Sequence, residues 1–122
     1  MNARLGNLAG KPSLGLKQPK AKARPDYLAA VRQMPCIICE EWGLPQLSPT
    51  TAHHPIHDRH SQRKRPDITA IPLCDGHHQG GWDNSKIAIH KSPQAWRQAY
   101  GADHDYTPRI QDRLRHLLEQ TP

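Results

Sequence analysis

Two short knuckle sequences, Cys36-x-x-Cys39 and Cys74-x-x-His77-His78, constrain this chain more than anything else in it. They contain all three of its cysteines. Thiolates paired across one tight turn, met by a Cys and a His from another, build a tetrahedral zinc site. The set Cys36, Cys39, Cys74 and His77 satisfies that pattern; the x-x spacing favours His77 over His78 as the fourth ligand. Free buried thiols are the alternative reading. A second doublet, His53-His54, lies between the two knuckles. His53, His54 and His78 are therefore surplus to a structural zinc, and surplus histidines are the raw material of a second, working metal site.

Such a staple matters because the chain is poor in core material. It has 122 residues, 35% of them hydrophobic, with no Phe and 12 Pro. That is one small domain with a thin core, to which a structural metal would supply stability. No apolar run approaches the length of a membrane span or resembles a signal peptide. An odd cysteine count at metal-binding spacing points to a reducing cytoplasm.

The net charge of +6 is unevenly placed. Residues 1 to 25 carry Arg4, Lys11, Lys17, Lys20, Lys22 and Arg24 and no acid, and the remainder is balanced. This stretch is also rich in Gly and Pro with no apolar period, so it reads as a disordered arm, 1–25, ahead of a domain over 26–122. A basic tail on a balanced body commonly holds a polyanion, which makes Lys11, Lys17, Lys20, Lys22 and Arg24 candidate DNA contacts. A solubilising leader is the bland alternative.

Along the body, Asp26 to Met34 reads as a helix with Asp26 as N-cap and Leu28, Val31 and Arg32 on one mixed face. Pro35 stops it. Residues 40–50 read as a loop, and Thr50 to His54 and Ile68 to Leu73 as two strands of a hairpin. Its long connection, 55–66, carries Arg59, Arg63, Lys64 and Arg65; on a nucleic-acid-binding body these four are phosphate contacts, otherwise a solvated loop. Ser92-Pro93 and Thr107-Pro108 are helix starts. The first of these helices stops near Gly101, and the last places Ile110, Leu114, Leu117 and Leu118 on one face as core or docking seam. Trp42, Trp82 and Trp96 are expected to pack around the core, and His60, His104 and His116 to be solvated.

The order strand, His-His, hairpin, strand, Cys-x-x-His-His resembles the ββα-metal fold of HNH nucleases. Within that superfamily the stretch from Tyr27 to Gly101 is most similar to the phage recombination-enhancement (Ref) nucleases, whose DNA cleavage depends on RecA filaments. The matching pieces are Met34-Pro35-Cys36-x-x-Cys39, Ala52-His53-His54, Ile71-Pro72-Leu73-Cys74, His77-His78-Gln79-Gly80, and Ile89-His90 followed by Trp96 and Tyr100-Gly101. The resemblance implies an α+β fold, a small zinc-stapled ββα-metal domain with flanking helices and a basic arm. It implies a phage- or prophage-encoded enzyme in the bacterial cytoplasm, with DNA and a RecA-type filament as partners and no membrane. It assigns His53 and His78 to a catalytic metal and His54 to general base. Its Asn on the second strand has no counterpart near 67–70, so either Asp67 or Thr69 takes that place or the role is dispensed with.

The chemistry fits these residues. An imidazole can take a proton from water at physiological pH, the role expected of His54. A divalent ion, Mg2+ or another, stabilises charge on the phosphate and on the leaving oxygen. His53 and His54 point to opposite sides of a regular strand, so the strand must twist or end there, and Pro55 favours an ending. A third metal ligand is needed; His90 is the choice, brought back to the knuckle through Gly80-Gly81, and His57 is the competitor. The expected function is thus a metal-dependent DNA endonuclease with structural Zn2+. Its rivals are a non-catalytic zinc module that binds nucleic acid or protein, and a regulatory protein using its last helix as an interface.

Overall fold

Proline is well suited to the first position of a helix, because the N–H it lacks would have no partner there. Pro25 takes that position, and helix α1 runs Pro25–Arg32. The computed structural model describes residues 21–60 and 63–119. Lys11, Lys17 and Lys20 and most of the expected arm lie outside them. Arg24 is anchored to the body: its backbone N–H donates to Asp67 at 2.9 Å and its guanidinium to the Leu117 carbonyl at 2.9 Å. Asp26 does not cap α1 as expected; it lies inside the first turn, where its carboxylate accepts two hydrogen bonds from the Arg24 guanidinium. The buried pair is Tyr27 and Val31, one helical turn apart, and not the mixed face around Leu28.

Cys36 stands at the N-cap position of helix α2, Ile37–Trp42, which ends at Gly43 in the left-handed conformation, φ 64°. The first half of α2 buries Ile37, Ile38 and Cys39. Its second half falls where the sequence reads as loop, because six residues are too few to show a helical period.

Strand β1, Thr50–His53, pairs antiparallel with β2, Ile71–Cys74, with Thr50 opposite Cys74 and His53 opposite Ile71. β2 starts three residues later than expected. A 3-10 turn, Asp67–Thr69, precedes it. The carbonyls of Ile68 and Thr69 accept from Gln111 and from the Thr107 hydroxyl, so these residues serve the C-terminal helices instead of the sheet. All four residues of β2 are buried.

The chain then enters the short helix α3, Asp75–His78, and turns back through Gly80, at φ +63°. Helix α4 runs Pro93–Tyr100, with Ser92 and Gly101 at its ends as expected. A 3-10 turn, Asp103–Tyr106, leads into α5, Thr107–Arg113, and α6, Arg115–Leu118. The expected single last helix is therefore two. The break falls at Leu114, which stays buried beside Ile110 while Leu117 and Leu118 pack partly against the same core.

The result is a small mixed α+β body, a two-stranded sheet with helices around it. Among the described residues no helix is long and apolar enough to cross a membrane. Of the three tryptophans only Trp96 is core, fully buried; Trp42 and Trp82 are 52% and 63% exposed, against expectation. The Trp96 indole N–H also donates to the His77 carbonyl at 3.1 Å, so its burial serves the knuckle as well as the core. Trp96→Ala should cost about 3–5 kcal/mol, and Trp82→Ala about 0.5 kcal/mol or less. Urea unfolding at saturating zinc checks both.

Candidate metal centres

The two knuckles meet. Cys36 and Cys39 come from the start of α2, Cys74 from the last position of β2 and His77 from α3. The Cys39 and Cys74 sulfurs are 3.8 Å apart, and His77 Nδ1 is 3.5, 3.6 and 3.4 Å from Cys36, Cys39 and Cys74. Zinc bonds of about 2.3 Å to sulfur and about 2.0–2.1 Å to nitrogen, set tetrahedrally, give edges of about 3.8 Å and about 3.6 Å. The four donors stand at those separations, all are buried, and no disulfide joins the cysteines. This Cys3His group can hold a metal such as zinc. It is His77 that faces the sulfurs; His78, the alternative fourth ligand, turns elsewhere.

The thiols show what a cation would do for them. Cys36 is pushed up, first by its hydrogen bond to Cys74 and then by burial, and burial lifts Cys39 to about 11. Cys74 falls to about 3, through the hydrogen bond from Cys36 and then through His77. A dication within reach of all three sulfurs would favour the thiolate form of each. On the other side of the ring, His77 Nε2 meets the Tyr100 hydroxyl at 3.3 Å, a contact that orients the imidazole.

A second cluster lies beside the first. His53, His78 and His90 each offer one ring nitrogen, all within 4.8 Å of one another, with ring centroids 5.0, 5.4 and 4.9 Å apart. His53 ends β1 and is buried; its Nε2 meets Asp103 Oδ2 at 2.9 Å, and its Nδ1 is buried with no hydrogen-bond partner. His78 Nδ1 is 2.7 Å from the Thr51 hydroxyl, which donates to the Leu73 carbonyl at 2.7 Å. That hydroxyl has only a lone pair left for His78, so Nδ1 carries the proton and Nε2 is the available donor atom. His90 arrives because Ile89 N–H and His90 N–H donate to the His77 and His78 carbonyls, each at 3.0 Å. This laces 89–90 along α3. Gly80 makes the reversal, and a Cβ on it would come 3.0 Å from that of Ala88.

Burial lowers the pKa of His53 and of His90. Burial, then the neighbouring His53 and His90, brings His78 down to about 3. Burial thus favours the neutral form of all three rings, the form that ligates metals. His57 is not part of the cluster. Its Nδ1 accepts from the Asp103 N–H at 3.0 Å and its Nε2 donates to the Pro93 carbonyl at 2.9 Å, so both nitrogens are engaged.

His54 lies one residue past the end of β1. Its Nε2 is 2.8 Å from Asp67 Oδ1, while Asp67 Oδ2 accepts from the Arg24 N–H. The hydrogen bond from Arg24, then that from His54, lowers the Asp67 carboxyl. Thr69, the other residue considered for this place, instead donates its hydroxyl to the Pro66 carbonyl at 2.6 Å. With its Nε2 proton held by Asp67, His54 has Nδ1 as its basic nitrogen.

Around Asp67 opens a cleft of about 400 Å³ lined by Lys22, Arg63, Lys64 and Arg65. Lys22, Arg63 and Lys64 are exposed, whereas Arg65 is half-buried and donates to the His57 carbonyl at 2.7 Å, a structural contact. His104 is not merely solvated; it meets Asp58 at 2.8 Å. Sequence reasoning missed Asp103 altogether. No spacing rule links it to His53, fifty residues away in the sequence.

The family model described as "Protein of unknown function (DUF968)" matches residues 9–116. No curated protein and no solved structure matches the chain.

The Cys3His geometry predicts one tightly held zinc per chain, with its binding energy part of the folding energy. Cys36→Ser and Cys74→Ser should each lose that zinc and much of the cooperative fold. Metal analysis with circular dichroism checks it; full folding of both variants without zinc is the contrary result.

Proposed function

The chain belongs to the DUF968 family, and we propose that it is a metal-dependent DNA endonuclease with a ββα-metal, HNH-like core. One observation carries the reading: a cluster of three histidines stands beside a fourth histidine that is oriented separately by a carboxylate. A zinc module that only binds has no use for either. The order β1, β2, α3, with His53 and His54 at the end of the first strand and His78 on the helix, supports the same reading.

In this reading His54 Nδ1 takes the proton from the water that attacks phosphorus. Asp67 fixes the tautomer and stabilises the imidazolium that forms, the service the family's Asn would otherwise perform. His53, His78 and His90 supply three nitrogen ligands. When bound there, a divalent ion stabilises the charge that develops on the phosphate and the leaving oxygen. An all-imidazole set favours Fe2+, Ni2+, Cu2+ or Zn2+ over Mg2+, which prefers oxygen. Lys22, Arg63 and Lys64 line the cleft next to Asp67 and bind the backbone there. Phosphate contacts carry no sequence information, so cleavage should be weakly sequence-selective.

His54→Ala should keep the fold, the zinc and DNA binding, and lose cleavage by about two to four orders of magnitude. His53→Ala and His78→Ala should also fail, but with partial rescue at high metal, which His54→Ala should not show. The assay is plasmid and single-strand cleavage against divalent ion concentration, with and without a RecA-type filament. Parent-like cutting by His54→Ala, or no cutting by the parent under any of these conditions, makes the non-catalytic zinc module the better account. Removing residues 1–20, which takes away Arg4, Lys11, Lys17 and Lys20 but keeps Arg24 on Asp67, should weaken DNA binding and flatten its salt dependence. DNA titrations at several salt concentrations test this; an unchanged slope rejects it.

A further inference from the structure

We propose that Asp103 is a positioning residue for the histidine cluster: it holds the proton of His53 on Nε2 and so leaves Nδ1 as the ligand atom. The inference rests on the metal-binding reading of that cluster, and not on nuclease activity.

Asp103 is fully buried, fifty residues along the chain from His53, in the 3-10 turn after α4. Its carboxylate is surrounded by donors. Oδ2 accepts from the Ile56 N–H at 2.7 Å and lies 2.9 Å from His53 Nε2; Oδ1 accepts from the His57 N–H at 3.1 Å. An acceptor-only group opposite Nε2 requires the proton to be on Nε2. His53 Nδ1 is then a lone pair, buried and satisfied by no hydrogen bond. A buried lone pair without a partner is costly in a folded protein. Here it belongs to a ring whose neighbours His78 and His90 bring their own nitrogens within 4.8 Å. A cation shared by the three rings satisfies all of them.

The same carboxylate sets the position of the ring as well as its tautomer. The two backbone donors, at 56 and 57, come from the segment that leaves β1 just after His53 and His54. Asp103 thus fixes the turn that ends the strand and the ring at its end together. His57 returns the contact by accepting from the Asp103 N–H and donating to the Pro93 carbonyl, which ties the turn to the start of α4. An amide cannot replace this carboxylate without loss. Asn has one acceptor oxygen and two N–H donors, so it cannot accept on both sides. If its NH2 group lies opposite His53, it drives that ring to the Nδ1–H tautomer and blocks the ligand atom.

Two measurements on the full-length, zinc-loaded protein test the proposal. A long-range 1H–15N spectrum of the parent, with His53 assigned by comparison with His53→Ala, should show His53 protonated on Nε2 with Nδ1 bare. Titration with Ni2+ by calorimetry should show one site, lost in His53→Ala. Asp103→Asn should weaken it about 10- to 100-fold, the usual effect of removing a partner behind a ligand histidine, with zinc content unchanged. In the His53→Ala background Asp103→Asn should add no further loss to any residual Ni2+ binding. A parent ring protonated on Nδ1, no Ni2+ site in the parent, parent-like affinity in Asp103→Asn, or an equal further loss in the double variant each overturns it. The parent spectrum needs no Asp103 variant, so it decides the point even if Asp103→Asn fails to fold. A parent that shows the tautomer and the Ni2+ site yet cuts no DNA leaves this inference standing and removes only the nuclease reading.

Discussion

The meeting of Cys36 and Cys39 with Cys74 and His77 is the contact on which the rest of this structure depends. It joins the N-terminal helices to the sheet at the one place where a thin core needs an external cross-link. It also sets the geometry of what lies beside it. Because the His77 ring is directed at the sulfurs, its own carbonyl can accept from Ile89 and from the Trp96 indole, and the next carbonyl accepts from His90. The Cys3His group and the histidine cluster therefore take one residue each from a consecutive pair, His77 and His78, on a single helical turn. Each faces a different site, as adjacent helical positions must. A cation at the first centre would stiffen the backbone that presents the second.

How much of this could be read in the sequence follows from how local each cause is. The cysteine spacing is local, and it located the knuckles that the structure brings together. The Pro and Gly signals at Ser92-Pro93 and Gly101 are local too, and α4 lies between them. What escaped was set by partners distant in sequence. Ile68 and Thr69 read as strand, but Gln111 and Thr107 take their carbonyls. Asp26 reads as a cap, but the Arg24 guanidinium holds it. Trp42 and Trp82 read as core by residue type alone, whereas burial is decided by tertiary position. Asp103 is the extreme case: one of two acids in a short connecting turn, recognisable only once the turn at 56–57 and the end of β1 are in place.

Histidine doublets at strand ends pose a general problem, because neighbouring strand residues point to opposite faces and cannot serve one site in the same way. Here β1 stops at His53, and the two rings are given different carboxylates from different elements, Asp103 for His53 and Asp67 for His54. In both rings Nε2 is the nitrogen engaged, which leaves Nδ1 as the reactive atom in each. What separates their roles is environment. His53 is 1% exposed among other imidazoles, where a proton is disfavoured by burial and a cation can be shared. His54, at 13%, sits on the rim beside a basic cleft, in contact with water. Identical side chains, adjacent in sequence and held through the same atom, are thereby placed in two different environments, one closed among imidazoles and one open to water. Their carboxylate partners do not make this difference, since both hold Nε2; the burial of the two positions does.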